Sequence, residues 1–263
     1  MTTFRWISDP GLHWREEGDP DGVPVLFSNS LGTDMRLWDP ILPLLPAGLR
    51  ILRYDKRGHG LYAAAEGAYA MGALVADAER VLEAAGATGA VIVGCSVGGM
   101  TAQGLAAKRP DLLRAAVLSN TAAKIGTREM WDERIRTVHE KGLAVMAPAI
   151  MERWFSKAFR ESDAVHPWRR MVETTTPEGY AGVSAAISGT DFHSVVQDIR
   201  IPVLAVAGSE DGSTPPDLVR ETADLIPGAR FEIVRGAGHL PMVEKPEVFA
   251  GVLTEFLRDS GIV

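Results

Sequence analysis

At 263 residues, 46% apolar and 23% charged, the chain has the balance of an ordinary globular protein with material for a sizeable core. A formal net charge of −7 argues against nucleic acid or an anionic membrane surface as partner, and a single cysteine, Cys95, excludes an internal disulfide or a cysteine-based metal site. No run approaches the roughly 18 consecutive apolar residues of a membrane span, and the stretch from Met1 to Trp6 lacks a basic-then-apolar leader pattern, so the expected location is the cytoplasm.

In chain order, two antiparallel strands are expected at 4–8 and 12–17, around the turn residues Asp9-Pro10-Gly11. Asp19-Pro20-Asp21-Gly22 makes a second turn into a buried strand at 24–28. The loop from Asn29 to Met35 leads to a helix expected to begin around Trp38-Asp39-Pro40, because proline suits a first helical turn. A strand at 50–54 runs into Asp55-Lys56-Arg57-Gly58-His59-Gly60. Apolar residues at 71, 74, 75, 78, 81 and 82 form a helical stripe over 71–85, ended by Gly86. Further strands are expected at 91–93, 115–119, 201–207 and 230–234, and helices at 100–108, 215–225 and 248–257. Strands alternating with helices predict an α/β fold, a mostly parallel central sheet with helices on both faces.

The segment 121–194 breaks this rhythm. It shows no strand pattern, carries helical stretches at 128–141 and 147–155, and is read as a helical cap inserted into a sheet domain formed by 1–120 and 195–263. Its ten basic and ten acidic residues make it neutral, so the net negative charge lies in the sheet domain.

Chemistry concentrates at Gly94-Cys95-Ser96-Val97-Gly98, between the apolar run Val91-Ile92-Val93 and the helix that follows. Strand, G-x-S-x-G and helix together are the context of a nucleophile elbow. A sharp turn thrusts the serine hydroxyl above the sheet, and the glycines let strand and helix pass close by. A serine nucleophile needs a base and an acid that orients it. The loop after the 201–207 strand holds Glu210 and Asp211; Asp211 is the expected acid, with Glu210 the alternative. His239, in the glycine-flanked loop after the last strand, is the expected base. His59 also follows a strand but precedes the serine, and is read as a structural loop residue. The oxyanion hole is expected from two backbone amides, Val97 after the serine and Leu31 in the loop after the 24–28 strand.

From end to end the chain resembles an α/β-hydrolase with a helical cap. The stretch from Ser28 to Asp34 with Trp38-Asp39-Pro40, Arg53-Tyr54-Asp55 leading to Arg57-Gly58-His59-Gly60, and Ser119-Asn120-Thr121-Ala122 followed by Ile125-Gly126 and Trp131 are similar to 3-oxoadipate enol-lactonases. Asn29-Ser30 stands where most of the superfamily has His-Gly. Three positions depart from the enol-lactonase pattern. Cys95 and Val97 replace the expected Leu and Met or Leu, and Lys56 replaces a small polar residue.

The resemblance implies an anionic lactone as substrate, opened through an acyl-enzyme on Ser96 with no metal or organic cofactor. A negatively charged protein needs a local cation to hold such a substrate. In the cap, Trp131 and Arg134 are three residues apart and share a helix face, so Trp131 is expected to cover the ring and Arg134 to pair with the carboxylate, with Lys56 a second candidate cation. A surface ion pair with Glu133 or Glu140 is the competing expectation for Arg134. Alternatives for the whole chain are a carboxylesterase or carbon–carbon bond hydrolase, and a non-enzymatic binding module, although a candidate for every triad member is retained.

Overall fold

The computed structural model describes residues 3–263, so Met1 and Thr2 of the leader reading lie outside it. Eight strands form one sheet: β1 (Thr3–Ile7), β2 (Leu12–Gly18), β3 (Val23–Ser28), β4 (Leu49–Tyr54), β5 (Ala90–Cys95), β6 (Leu113–Ser119), β7 (Val203–Gly208) and β8 (Arg230–Val234). Their order is β1-β2-β4-β3-β5-β6-β7-β8. β1, β2 and β4 pair antiparallel, and every pair from β4 through β3 to β8 is parallel. β5 and β7 are buried at every position, so both faces of the sheet are covered there. A strand covered on both sides needs apolar residues at consecutive positions, which is why these two read as unbroken apolar runs.

Helices α1 (Met71–Ala84) and α2 (Val97–Lys108) pack on the centre of the sheet, and α8 (Pro216–Leu225) packs on β7 and β8. The six stripe positions of α1 are all buried. A single turn, α9 (Pro241–Glu244), leads into the closing helix α10 (Pro246–Asp259). One expectation fails. No α-helix starts near Trp38; two 3-10 turns, Met35–Trp38 and Leu42–Leu44, take its place. Pro40, Pro43 and Pro46 each lack an amide proton, and three such gaps in one short stretch interrupt any α-helical ladder.

Between β6 and β7 the chain is helical: α3 (Arg128–Lys141), α4 (Leu143–Trp154), the short α5 (Lys157–Arg160), α6 (His166–Thr174) and α7 (Pro177–Ser188). Thr127 caps α3 by accepting from the Met130 amide, and Thr176 caps α7 through the Gly179 amide. Gly142, at φ 73°, ends α3 and turns the chain directly into α4. No helix among the described residues is long and apolar enough to cross a membrane.

The parallel strands all point their C-terminal ends to one edge. Strand order reverses between β3 and β5, and that switch point, where ligands meet open α/β sheets, is flanked by the loops carrying Leu31 and Ser96.

Candidate active site

Ser96 joins β5 to α2 with φ 58° and ψ −120°, a conformation that a residue with a Cβ adopts at a cost of order 1–3 kcal/mol. Close packing around the turn holds it there. A Cβ on Gly94 would lie 2.2 Å from the Gly98 carbonyl oxygen, and one on Gly98 would lie 2.1 Å from that of Ser28. Only glycine fits either position, which is the physical content of the motif's spacing. The Ser96 side chain, in a residue only 8% exposed, lines a cavity with His239, Ser30 and Leu31 below and Trp131, Arg134, Arg153, Trp154 and Tyr180 from the α3–α7 insertion above.

His239 is buried, and its backbone amide donates to the Trp154 carbonyl at 2.7 Å while the Trp154 ring stacks on its imidazole. Its Nδ1 lies 2.8 Å from Asp211 Oδ2. A carboxylate only accepts, so Nδ1 carries the proton and Nε2 keeps its lone pair free to act as a base. Asp211 is buried against this histidine, whereas its neighbour Glu210 is exposed. The Asp211 carboxylate also accepts from Asn120 Nδ2 at 2.9 Å, the Thr214 hydroxyl at 2.7 Å and the amides of Ser213 and Thr214 at 2.7 and 3.0 Å. Burial works against its ionisation, but the charge and hydrogen bonds of His239, Asn120 and Thr214 outweigh burial and hold the carboxyl below its ordinary range.

Leu31 lines the cavity, and Val97 is the first residue of α2, where helix geometry leaves the amide without an intrahelical partner. Neither amide has a protein acceptor among the described residues. The Val97 residue is itself buried.

Trp131 and Arg134 both line the cavity. The Trp131 Nε1–H donates to the Ile125 carbonyl at 2.6 Å, and the Arg134 guanidinium lies 5.4 Å from the Trp131 ring and 5.8 Å from that of Tyr180. Glu133 is engaged by Arg136 instead. Lys56 is not in this cavity. It is buried under the loop after β3, where its Nζ donates to the Thr33 carbonyl at 2.5 Å. Following a strand brought it near the site, but its side chain reaches the loop's underside before it can reach the substrate space, so its reading as a substrate-binding cation is corrected.

Two contributors escaped the sequence reading. Asn120, at φ 49°, directs its amide to Asp211 and to the Gly238 carbonyl, tying the acid loop to the base loop. Arg153, on α4, is a half-buried second cation at the cavity. Burial first and the neighbouring Arg134 second lower its basicity. Neither Arg134 nor Arg153 has an acidic residue three or four positions away in its helix, unlike Arg128, which faces Asp132, and Arg136, which faces Glu133. That lack of a helical partner was the available signal.

A second cleft, of about 490 Å³, lies beyond the same loop and is lined by Thr33, Asp34 and Met35 rather than Ser30 and Leu31. Its charges are largely paired internally, His13 with Asp55, Arg36 with Asp34 and Arg53 with Asp39, and it holds none of the expected catalytic groups.

Residues 23–246 match the family described as alpha/beta hydrolase fold. The chain belongs to that family. Among curated α/β-hydrolase relatives, 3-oxoadipate enol-lactonase 2 of Acinetobacter baylyi is 32% identical over 92% of this chain and 91% of its own length. Enol-lactonase 1 of the same organism is 31% identical, over 91% and 90%. The crystal structure of the enol-lactonase from Burkholderia xenovorans superposes with a TM-score of 0.93 at 32% identity, covering 97% of this chain and 100% of that one. A hydrolase from Pseudomonas aeruginosa gives 0.92 at 35% identity, covering 97% and 98%. As an α/β-hydrolase with relatives of this kind, the protein is an ester hydrolase.

Proposed function

We propose that the protein opens 3-oxoadipate enol-lactone to 3-oxoadipate, a step of protocatechuate or catechol breakdown, by serine catalysis in the cytoplasm. The observation that carries this reading is the pair of half-buried guanidiniums, Arg134 and Arg153, at the cavity of Ser96, without ion-pair partners among the described residues. An anionic substrate supplies a full opposite charge, whereas a neutral ester leaves the two half-buried cations only partly offset, Arg134 by the Trp131 and Tyr180 rings. The likeness to enol-lactonases supports the same substrate class.

In this reading Ser96 Oγ attacks the lactone carbonyl as His239 Nε2 takes its proton, with Asp211 holding the imidazole tautomer. The oxyanion lies between the Leu31 and Val97 amides; removing one such donor typically costs about 3–4 kcal/mol. The ring C–O bond then breaks and its oxygen leaves as an enol, protonated by His239, while the acyl group stays on Ser96. Ketonisation of the enol makes opening effectively irreversible. Water activated by His239 hydrolyses the acyl-enzyme and regenerates the serine.

Steady-state kinetics on two substrates test the assignment. The anionic enol-lactone should be favoured over a neutral nitrophenyl ester by about 10–150-fold in kcat/KM, the equivalent of about 1.5–3 kcal/mol for a charged hydrogen bond. The opposite ranking would overturn the substrate and leave a carboxylesterase.

A further inference from the structure

The loop from Asn29 to Met35 carries the Leu31 amide yet makes few backbone bonds of its own; Thr33 N to Ser30 O, at 3.2 Å, is one. Besides contacts of Asn29 with Tyr54 and Trp38, of Met35 with Arg53 and of Asp34 with Met171, it is fixed by the segment after β4. The Gly32 amide donates to His59 Nε2 at 2.9 Å, Lys56 Nζ donates to the Thr33 carbonyl at 2.5 Å, and the Met35 amide donates to Asp55 Oδ1 at 3.1 Å. Three points along the loop are therefore held by three side chains of one short segment. That segment is itself seated on α7. The Thr176 hydroxyl donates to the Gly58 carbonyl at 3.1 Å, and the backbones of Gly58 and Gly179 approach so closely that a Cβ on Gly58 would lie 2.1 Å from Gly179 Cα.

The His59 contact fixes a protonation state by chemistry alone. A backbone amide can only donate, so Nε2 must present a lone pair; Nδ1, 2.8 Å from the Arg57 carbonyl, must then carry the proton. An imidazolium would set two donors against each other at Gly32. Burial first and the nearby Lys56 second keep this imidazole from charging. Gly32 has φ +76°, so the residue beside Leu31 sits in a left-handed turn without ladder bonds and depends on His59 for its amide partner.

We propose that His59 is a positioning residue for the reaction: its neutral imidazole holds the Gly32 amide and thereby aims the adjoining Leu31 N–H at the developing oxyanion. This rests on the serine mechanism above. The residue touches no substrate; it acts through the loop.

The test compares His59→Ala and His59→Gln with the native enzyme in kcat, KM and inhibition by an alkyl trifluoromethyl ketone, whose adduct with Ser96 carries an oxyanion. Product inhibition by the ring-opened acid serves as a ground-state reference. His59→Ala should lose about 10–100-fold in kcat, part of what deleting an oxyanion donor costs. KM and product inhibition should stay within about twofold, and the ketone should weaken in step with kcat. His59→Gln, whose amide oxygen can accept from Gly32, should recover most of both. Ketone affinity unchanged in His59→Ala, or a His59→Gln enzyme no better than His59→Ala, would overturn the proposal. If His59→Ala does not fold, His59→Leu, which fills the space without offering an acceptor to Gly32, takes its place: ketone affinity falling in step with kcat and recovered in His59→Gln upholds the role, and unchanged ketone affinity refutes it. The same comparisons on a nitrophenyl ester keep this test separate from the substrate assignment, which is decided by how the native enzyme ranks the lactone against the ester.

Discussion

Arg134 and Arg153 come from successive helices, α3 and α4, and face one cavity, and each is without an ion-pair partner among the described residues. The aromatic faces of Trp131 and Tyr180 partly offset the charge of Arg134, while Arg153 feels burial and then the like charge of Arg134.

Removing either guanidinium should therefore act selectively. Arg134→Ala and Arg153→Ala are each expected to lower kcat/KM for the anionic lactone by about 1.5–3 kcal/mol, the range for a hydrogen bond to a charged group, and to leave a neutral ester nearly unaffected. Parallel kinetics on both substrates read this out. Equal losses on the two would mean that the arginines shape the cavity and do not read the carboxylate.

The thiol beside the serine should be a bystander. Cys95 is fully buried, its Sγ meets the His239 carbonyl oxygen at 3.6 Å, and burial pushes its pKa well up, so it is held as a thiol. Cys95→Ala should retain most activity, with a modest stability loss from packing, measurable by denaturant unfolding. A folded Cys95→Ala protein with no turnover would place the nucleophile at the wrong residue.

Lys56 should make stability rise with pH. Burial pushes its pKa down to about 7, against the pull of Asp34 and Asp55, whereas in the unfolded chain it titrates near its ordinary value of about 10.4. Between these limits the unfolded chain holds a proton that the folded chain has released, so unfolding becomes harder as pH increases. Below about pH 7 both states are charged and the cost of burying the ammonium is present in full. The unfolding free energy of the native protein minus that of Lys56→Met should climb by up to about 1.4 kcal/mol per pH unit over this window. Urea unfolding at pH 7, 8 and 9 checks it; parallel profiles would show that Lys56 keeps its ordinary basicity.

Much of this arrangement is legible in the residues because it follows from local rules. All eight strands fall between turn residues, the central ones on apolar runs, and Ser96, Asp211 and His239 stand out because each follows a strand in a loop of small or polar residues. What stayed hidden depends on three-dimensional reach. Pro40 alone looked like a helix start, and only Pro43 and Pro46 together with it rule the helix out. Lys56 follows a strand as site residues do, yet its length takes it under the loop. Asn120 and His59 act through other residues, Asp211 and Gly32, that are distant in the chain. Arg153 differs from its neighbours only in lacking a helical acid partner.

The proposed chemistry rests most directly on Ser96. Its decisive measurement is the turnover of 3-oxoadipate enol-lactone by the purified native protein and by Ser96→Ala, followed as loss of the enol-lactone with folding verified for both. The serine mechanism predicts that the native enzyme turns over the lactone and that Ser96→Ala falls by about six orders of magnitude, the scale of losing a triad nucleophile. Near-native turnover by a folded Ser96→Ala enzyme would contradict it.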